Sequence, residues 1–149
     1  MHAYTVLITG ANRGIGLELS RQYAADGWQV LACCRHPQSA IALQALTTQH
    51  DNVHVLPLDV SDFRQIDALA LTLKAQNIDV LINNAGVYPE STFGDTDEQL
   101  WANAFKVNSM APMKMAEAFV QHITRSQLKK IATLSSKMGS IDDNTSGES

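Results

Sequence analysis

The feature that most constrains this chain is a change of hydrophobic period that repeats from one end to the other. Short β-branched runs, "AYTVLIT" (3–9), "WQVLACC" (28–34), "VHVLPLDV" (53–60), "IDVLINNAG" (78–86) and "KKIATLSS" (129–136), alternate with longer segments of helical period. Antiparallel neighbours can be joined by a tight turn, whereas parallel neighbours need a crossover long enough to hold a helix. The alternation therefore predicts repeated strand-helix-strand units and an α/β fold, a Rossmann-like doubly wound parallel sheet of about five strands. A length of 149 residues with 45% hydrophobic and 17% charged residues suits one domain with a single sizeable core. Residues 139–149 turn to Gly, Ser, Asp and Asn without periodicity and read as loop or disordered tail.

The helices have their own signals. In "GIGLELSRQYAADG" (14–27), Ile15, Leu19 and Tyr23 recur every four residues and Gly27 offers a left-handed stop. A second helix is expected over roughly 38–49. Ser61-Asp62 caps a third, whose Ile66, Leu69, Ala70 and Leu73 share a face. Thr96 with Gln99 forms a capping box for a helix through about Val107, and Pro112 fits the first turn of another, with Ala116, Phe119, Val120 and Ile123 on one side. Met110, Met113 and Met115 read as packing residues of that region, with an apolar substrate pocket as the alternative.

Composition closes several functional classes. The formal net charge is −4 and the longest basic run is Lys129-Lys130, which argues against nucleic acid or anionic lipid as partner. Thr5 and Gly10 interrupt the first apolar run far short of a membrane span, and no basic leader precedes it, so a cytoplasmic location with no membrane association is expected. Cys33 and Cys34 are adjacent on a strand, point to opposite faces and read as reduced packing residues. His2, His36, His50, His54 and His122 have no ligand spacing, so no metal site is expected.

"TGANRGIG" (9–16) stands between a predicted strand and a predicted helix, the context in which glycines carry chemistry. Glycine lets the backbone approach a phosphate, and the helix N-terminus offers N–H groups and the positive end of its dipole to an anion. A pyrophosphate is expected over Gly14, Ile15 and Gly16. The second strand ends "CCRHP", placing Arg35 where an acidic side chain would otherwise receive a ribose 2′-hydroxyl and repel a 2′-phosphate. Arg13 lies within reach of the same phosphate, and the guanidinium fork suits it, so NADP(H) is favoured over NAD(H) unless both arginines are simply solvated surface charges.

Gly10, Gly14 and Gly16 follow a T-G-x-x-x-G-x-G spacing, "LDV" stands at 58–60, "NNAG" at 83–86, "KVNSMAP" at 106–112 and "LSSKMGS" at 134–140. In that order these motifs resemble the short-chain dehydrogenase/reductase family, and "DDNTSGES" (142–149) is similar to the loop of its C-factor/sniffer-like branch, with Glu148 where that branch has a second glycine. The resemblance implies a sheet of seven strands in the complete fold. It also implies cofactor contacts from Gly10, Asn12, Arg13, Gly14, Ile15, Gly16 and Arg35. Asp59 and Val60 would hold the adenine, and Asn83, Ala85 and Gly86 would border the adenosine ribose and stabilise the central sheet.

The family transfers hydride between a nicotinamide and a carbonyl or alcohol carbon of a small molecule. A serine polarises the oxygen, a tyrosine gives the proton, a lysine four residues later lowers that tyrosine's pKa, and an asparagine orients a relay water. By the resemblance Ser136, with Ser135 as its alternate, is the serine and Asn108 the asparagine; each also has a plain structural reading, as a turn residue and as a helix breaker. Tyr4 and Tyr23 read as buried in the first strand and helix, Tyr88 has no lysine four residues later, and Lys137 has no tyrosine partner, so no Tyr-x-x-x-Lys pair occurs in the 149 residues. The chain accordingly reads as the amino-terminal part of a reductase, unable to turn over by itself, with an exposed fifth strand that favours homo-oligomers. The alternative is a non-catalytic dinucleotide-binding or protein-interaction module.

Overall fold

A computed structural model describes residues 3–86 and 97–134. Five strands, β1 (Thr5–Ile8), β2 (Gln29–Cys34), β3 (Val53–Pro57), β4 (Val80–Asn83) and β5 (Lys130–Thr133), form one sheet in the order β3-β2-β1-β4-β5. Every pairing is parallel, with Val6 opposite both Val30 and Val80, and Asn83 opposite Thr133. The alternation of periods thus specified the sheet type. The order reverses at β1 and β4, whose carboxyl ends lie side by side.

Helices α1 (Gly14–Ala25) and α2 (Ile41–Gln49) cover one face, and α3 (Phe63–Thr72) and α5 (Ala111–Ala118) the other. Side chains alternate along the strands into two cores. Val6, Ile8, Val30, Ala32, Val80 and Ile82 enter the α1–α2 core, while Leu7, Leu31 and Leu81 enter the core shared with Ile66, Met115 and Phe119. Cys33 and Cys34 follow the same rule, one in each core, both free thiols. Burial pushes the Cys33 thiol up to about 12, which keeps it protonated and unreactive at neutral pH.

Sequence and structure differ on which faces are buried. The inward face of α1 is Gly16, Ser20 and Ala24, whereas Ile15 is 65% exposed; small residues let the helix settle close to β1 and β2. Tyr4 is exposed rather than buried, and with the half-buried Tyr23 it packs on the Trp28 ring at 5.1 and 4.7 Å. On the last helical stretch Ala111, Met115, Phe119 and Ile123 face the core while Val120, Met110 and Met113 face out. The register differs from the expected one because the helical path is not regular. A widened turn, with Ala111 N donating to Lys106 O, occupies Lys106–Met110 between α4 (Glu98–Phe105) and α5, and α5 ends at Phe119 before a short α6 (Val120–Thr124).

The caps are only partly as expected. Asp62 caps α3 by accepting from Arg64 N. For α4 the cap is Asp97, accepting from Gln99 N and Leu100 N, so the helix starts one residue later than the Thr96–Gln99 box implied, and Thr96 lies outside the described residues. Gly27 has φ +85° and stops α1 as expected. Among the described residues, no helix is long and apolar enough to cross a membrane.

Candidate cofactor and active site

The carboxyl ends of β1, β2 and β4 are sewn together by the turn that follows β1. Thr9, 2% exposed, donates its N–H to Ile82 O at 3.1 Å, and its hydroxyl oxygen accepts from Asn84 N and Ala85 N, each at 3.0 Å. Asn84 Nδ2 donates back to Gly10 O at 3.0 Å, and Ala11 N donates to Cys33 O at 2.9 Å. The turn is therefore fixed to both neighbouring strands before any ligand arrives. Thr9 and Asn84 escaped the sequence reading as individual residues, although both stand inside the quoted motifs; the signal was a β-branched hydroxyl directly before the first glycine and the doubling of asparagine at 83–84.

The three glycines are needed for different reasons. Gly10 combines φ +62° with a close approach, since a Cβ there would stand 2.9 Å from Ala85 Cα. Gly16 is a matter of space alone, a Cβ falling 2.3 Å from Gly10 O and 2.5 Å from Asn84 Nδ2. Gly14 has φ +57° and nothing within 4 Å of where its Cβ would be, so it opens the first turn of α1 to a ligand. Arg13 occupies the N-cap position with extended backbone and no side-chain cap, leaving the N–H groups at the start of α1 facing outward with Asn12, Arg13, Gly14 and Ile15 exposed. An open glycine, an uncapped helix start and exposed arginine fit a pyrophosphate-bearing dinucleotide.

Arg35 follows β2 directly and is exposed, and among the described residues neither it nor Arg13 forms an ion pair. The end of β2 is joined to the next loop by Leu58 N donating to Cys34 O at 2.9 Å. In that loop Asp59 Oδ1 accepts from Ser61 N and Ser61 Oγ at 3.0 and 2.7 Å, while Asp59 N donates to Gln65 Oε1 at 2.9 Å. Asp59 is a half-buried, fixed loop residue, and Val60, 8% exposed, turns its side chain into the α3-side core so that only its backbone can face a ligand.

Beyond β4, Asn83 is 5% exposed and its Nδ2 has no partner among the described residues; its carbonyl accepts from Leu134 N at 3.1 Å, tying β4 to β5. Ala85 is half-buried and Gly86 exposed at the rim. Asn108 does not break the helix: it sits in the widened turn, exposed, with its Oδ1 beside Gly86. Pro112 explains the widening, because it has no N–H for the Asn108 carbonyl four residues earlier and its ring would strike that carbonyl in a regular helix. Ser135, Ser136, Lys137 and Tyr88 lie outside the described residues. The described structure thus brings together the glycine turn, the ends of β2 and β4, and Asn108.

The sequence profile of the short chain dehydrogenases matches residues 4–146. The chain belongs to the short chain dehydrogenase family. Relatives of this short chain dehydrogenase include an uncharacterized oxidoreductase of Schizosaccharomyces pombe, 32% identical over 138 residues, 90% of this chain and 54% of that protein. Among solved structures it is similar to the NADPH-bound carbonyl reductase from chicken fatty liver, with TM-score 0.85, 32% identity and coverage of 97% of this chain and 64% of the other. It is also similar to the carbonyl reductase Sniffer of D. melanogaster, with TM-score 0.80, 30% identity and coverage of 97% and 66%. The chain spans about half the length of the curated relatives it matches. The five-stranded Rossmann-like sheet with its flanking helices is the fold it shares with the solved carbonyl reductases.

Proposed function

We propose that this short chain dehydrogenase chain is the dinucleotide-binding part of an NADP(H)-dependent oxidoreductase acting on the carbonyl or alcohol group of a small molecule. The observation that carries the reading is the pre-fixed glycine turn: Gly14 opens the uncapped start of α1, while Thr9 and Asn84 hold the turn rigid from below. The N–H groups of Gly14, Ile15 and Gly16 receive the pyrophosphate. Arg13 and Arg35 take the ribose 2′-phosphate, a reading supported by the absence of an acidic residue directly after β2 and by the NADPH bound to the chicken carbonyl reductase. Asp59 and the Val60 backbone border the adenine, and Asn83, Ala85 and Gly86 lie under the ribose.

The bound nicotinamide supplies the hydride. Around it the chain contributes Asn108, which orients a water of the proton path, and Ser136, which polarises the substrate oxygen. Without a Tyr-x-x-x-Lys pair the 149 residues contain no proton donor of the family type, so this chain binds cofactor and does not turn over. A cytoplasmic location and a homo-oligomeric state complete the proposal. Incubating the purified chain with NADPH and a panel of aldehydes and ketones tests the chemistry: NADPH is held but not consumed, and carbonyl-dependent oxidation of NADPH would contradict the proposal. Under the alternative, a binding module that reads NADPH as a ligand, a pull-down partner would appear whose capture depends on NADPH.

A further inference from the structure

Gly86 raises a question that backbone geometry does not answer. Positive φ among the described glycines occurs at Gly10, Gly14 and Gly27, so Gly86 is not held as glycine by a left-handed backbone. A Cβ at Gly86 would meet Asn108 Oδ1 at 3.2 Å, and the next atom, Asn84 O, only at 4.0 Å. Among the described residues the one close obstacle to a side chain is thus a carboxamide from a helix 22 positions further along the chain. That carboxamide cannot simply swing with a loose segment: Val107 and Ala111, on either side of it, are 6% and 2% exposed and packed in the α3-side core. The widened turn sets Asn108 against the end of β4, and the missing side chain at Gly86 makes the room.

We propose that Gly86 is a positioning residue for Asn108, fixing the distance between the carboxamide and the carboxyl end of β4. This rests on the functional reading above, in which Asn108 serves the nicotinamide half of the site. An alanine methyl would make Asn108 retreat by a few tenths of an ångström, enough to disturb hydrogen bonds whose geometry is narrow.

The test is a double-mutant cycle on the 149-residue chain with Gly86→Ala and Asn108→Ala, read by NADPH titration and by the Asn108 side-chain amide signal in ¹⁵N spectra. Gly86→Ala is expected to shift that signal and weaken NADPH binding about fivefold, and to cost less than about twofold once Asn108 is already alanine. An unmoved Asn108 signal, an equal loss in both backgrounds, or no loss in either would overturn the proposal. If Gly86→Ala alone fails to fold, the double variant is expected to fold; failure of both would mean that the methyl meets something else. Should the wild-type chain bind no NADPH, the functional reading fails while the Asn108 signal still decides the role of Gly86.

Discussion

β1 and β5 flank the same strand, β4, in the same parallel register, yet every residue of β1 is buried and every residue of β5 is exposed. On the β1 side the next layer is complete: α1 presses Gly16, Ser20 and Ala24 onto the sheet, and Thr9 and Asn84 close the turn above it. On the β5 side Ile131 is 49% exposed and borders an open trough of about 640 Å³ with Trp28, Val80 and Leu128. The difference teaches that the β1 flank is closed by its own helix and turn within residues 3–86, whereas the β5 flank stays open among the described residues. In the proposed function the closed flank is the one that anchors the dinucleotide.

If that division is right, damage should scale with distance from the turn. Gly16→Ala is the severest test, because its methyl would press on Gly10 O and the Asn84 amide, which are held by their own hydrogen bonds. Urea denaturation should show a loss of about 3 kcal/mol, the upper end of overpacking costs, with cofactor binding abolished. Thr9→Val keeps the volume but strands the N–H groups of Asn84 and Ala85. A loss of about 2 kcal/mol is expected, together with faster hydrogen exchange at those two amides.

Asp79 sharpens the comparison from the opposite end of the sheet. Its buried carboxylate accepts from Thr5 N at 2.9 Å and from Gln127 N and Leu128 N at 3.0 and 3.2 Å, joining the starts of β1, β4 and β5. Asp79→Asn turns one acceptor into a donor facing a donor and should cost about 1.5 kcal/mol. NADPH affinity of the folded fraction should not change. Smallest of all, Ile131→Thr should alter stability by less than about 0.5 kcal/mol despite removing an apolar side chain from a strand, since that side chain is half in water. A cost near that of a core deletion would show the β5 flank to be covered in solution.

Much of this was legible in the sequence, for identifiable reasons. A parallel sheet buried on both faces demands continuous apolar strands, so β1, β2 and β4 stood out, and the pleat placed Cys33 and Cys34 in opposite cores before any coordinates. Glycine spacing located the tight turn between β1 and α1 because few other residues tolerate those φ values and contacts. What the sequence hid was packing by small residues: periodicity in large apolar side chains pointed to Ile15, while α1 buries Gly16, Ser20 and Ala24. The widened turn at Lys106–Met110 shifted the register of α5 by inserting a residue, and no periodicity rule anticipates that. Thr9 and Asn84 were invisible as site residues because their partners are backbone groups some 75 positions away.

The central claim is that this chain's own glycine turn and two arginines form a working NADP(H) site. The measurement that tests it most directly is a fluorescence titration of the 149-residue chain with NADPH and with NADH under the same salt conditions. Saturable binding with NADPH favoured by at least about tenfold is predicted, the scale of a charge-assisted phosphate contact. Equal affinities, a preference for NADH, or no binding of either would contradict it.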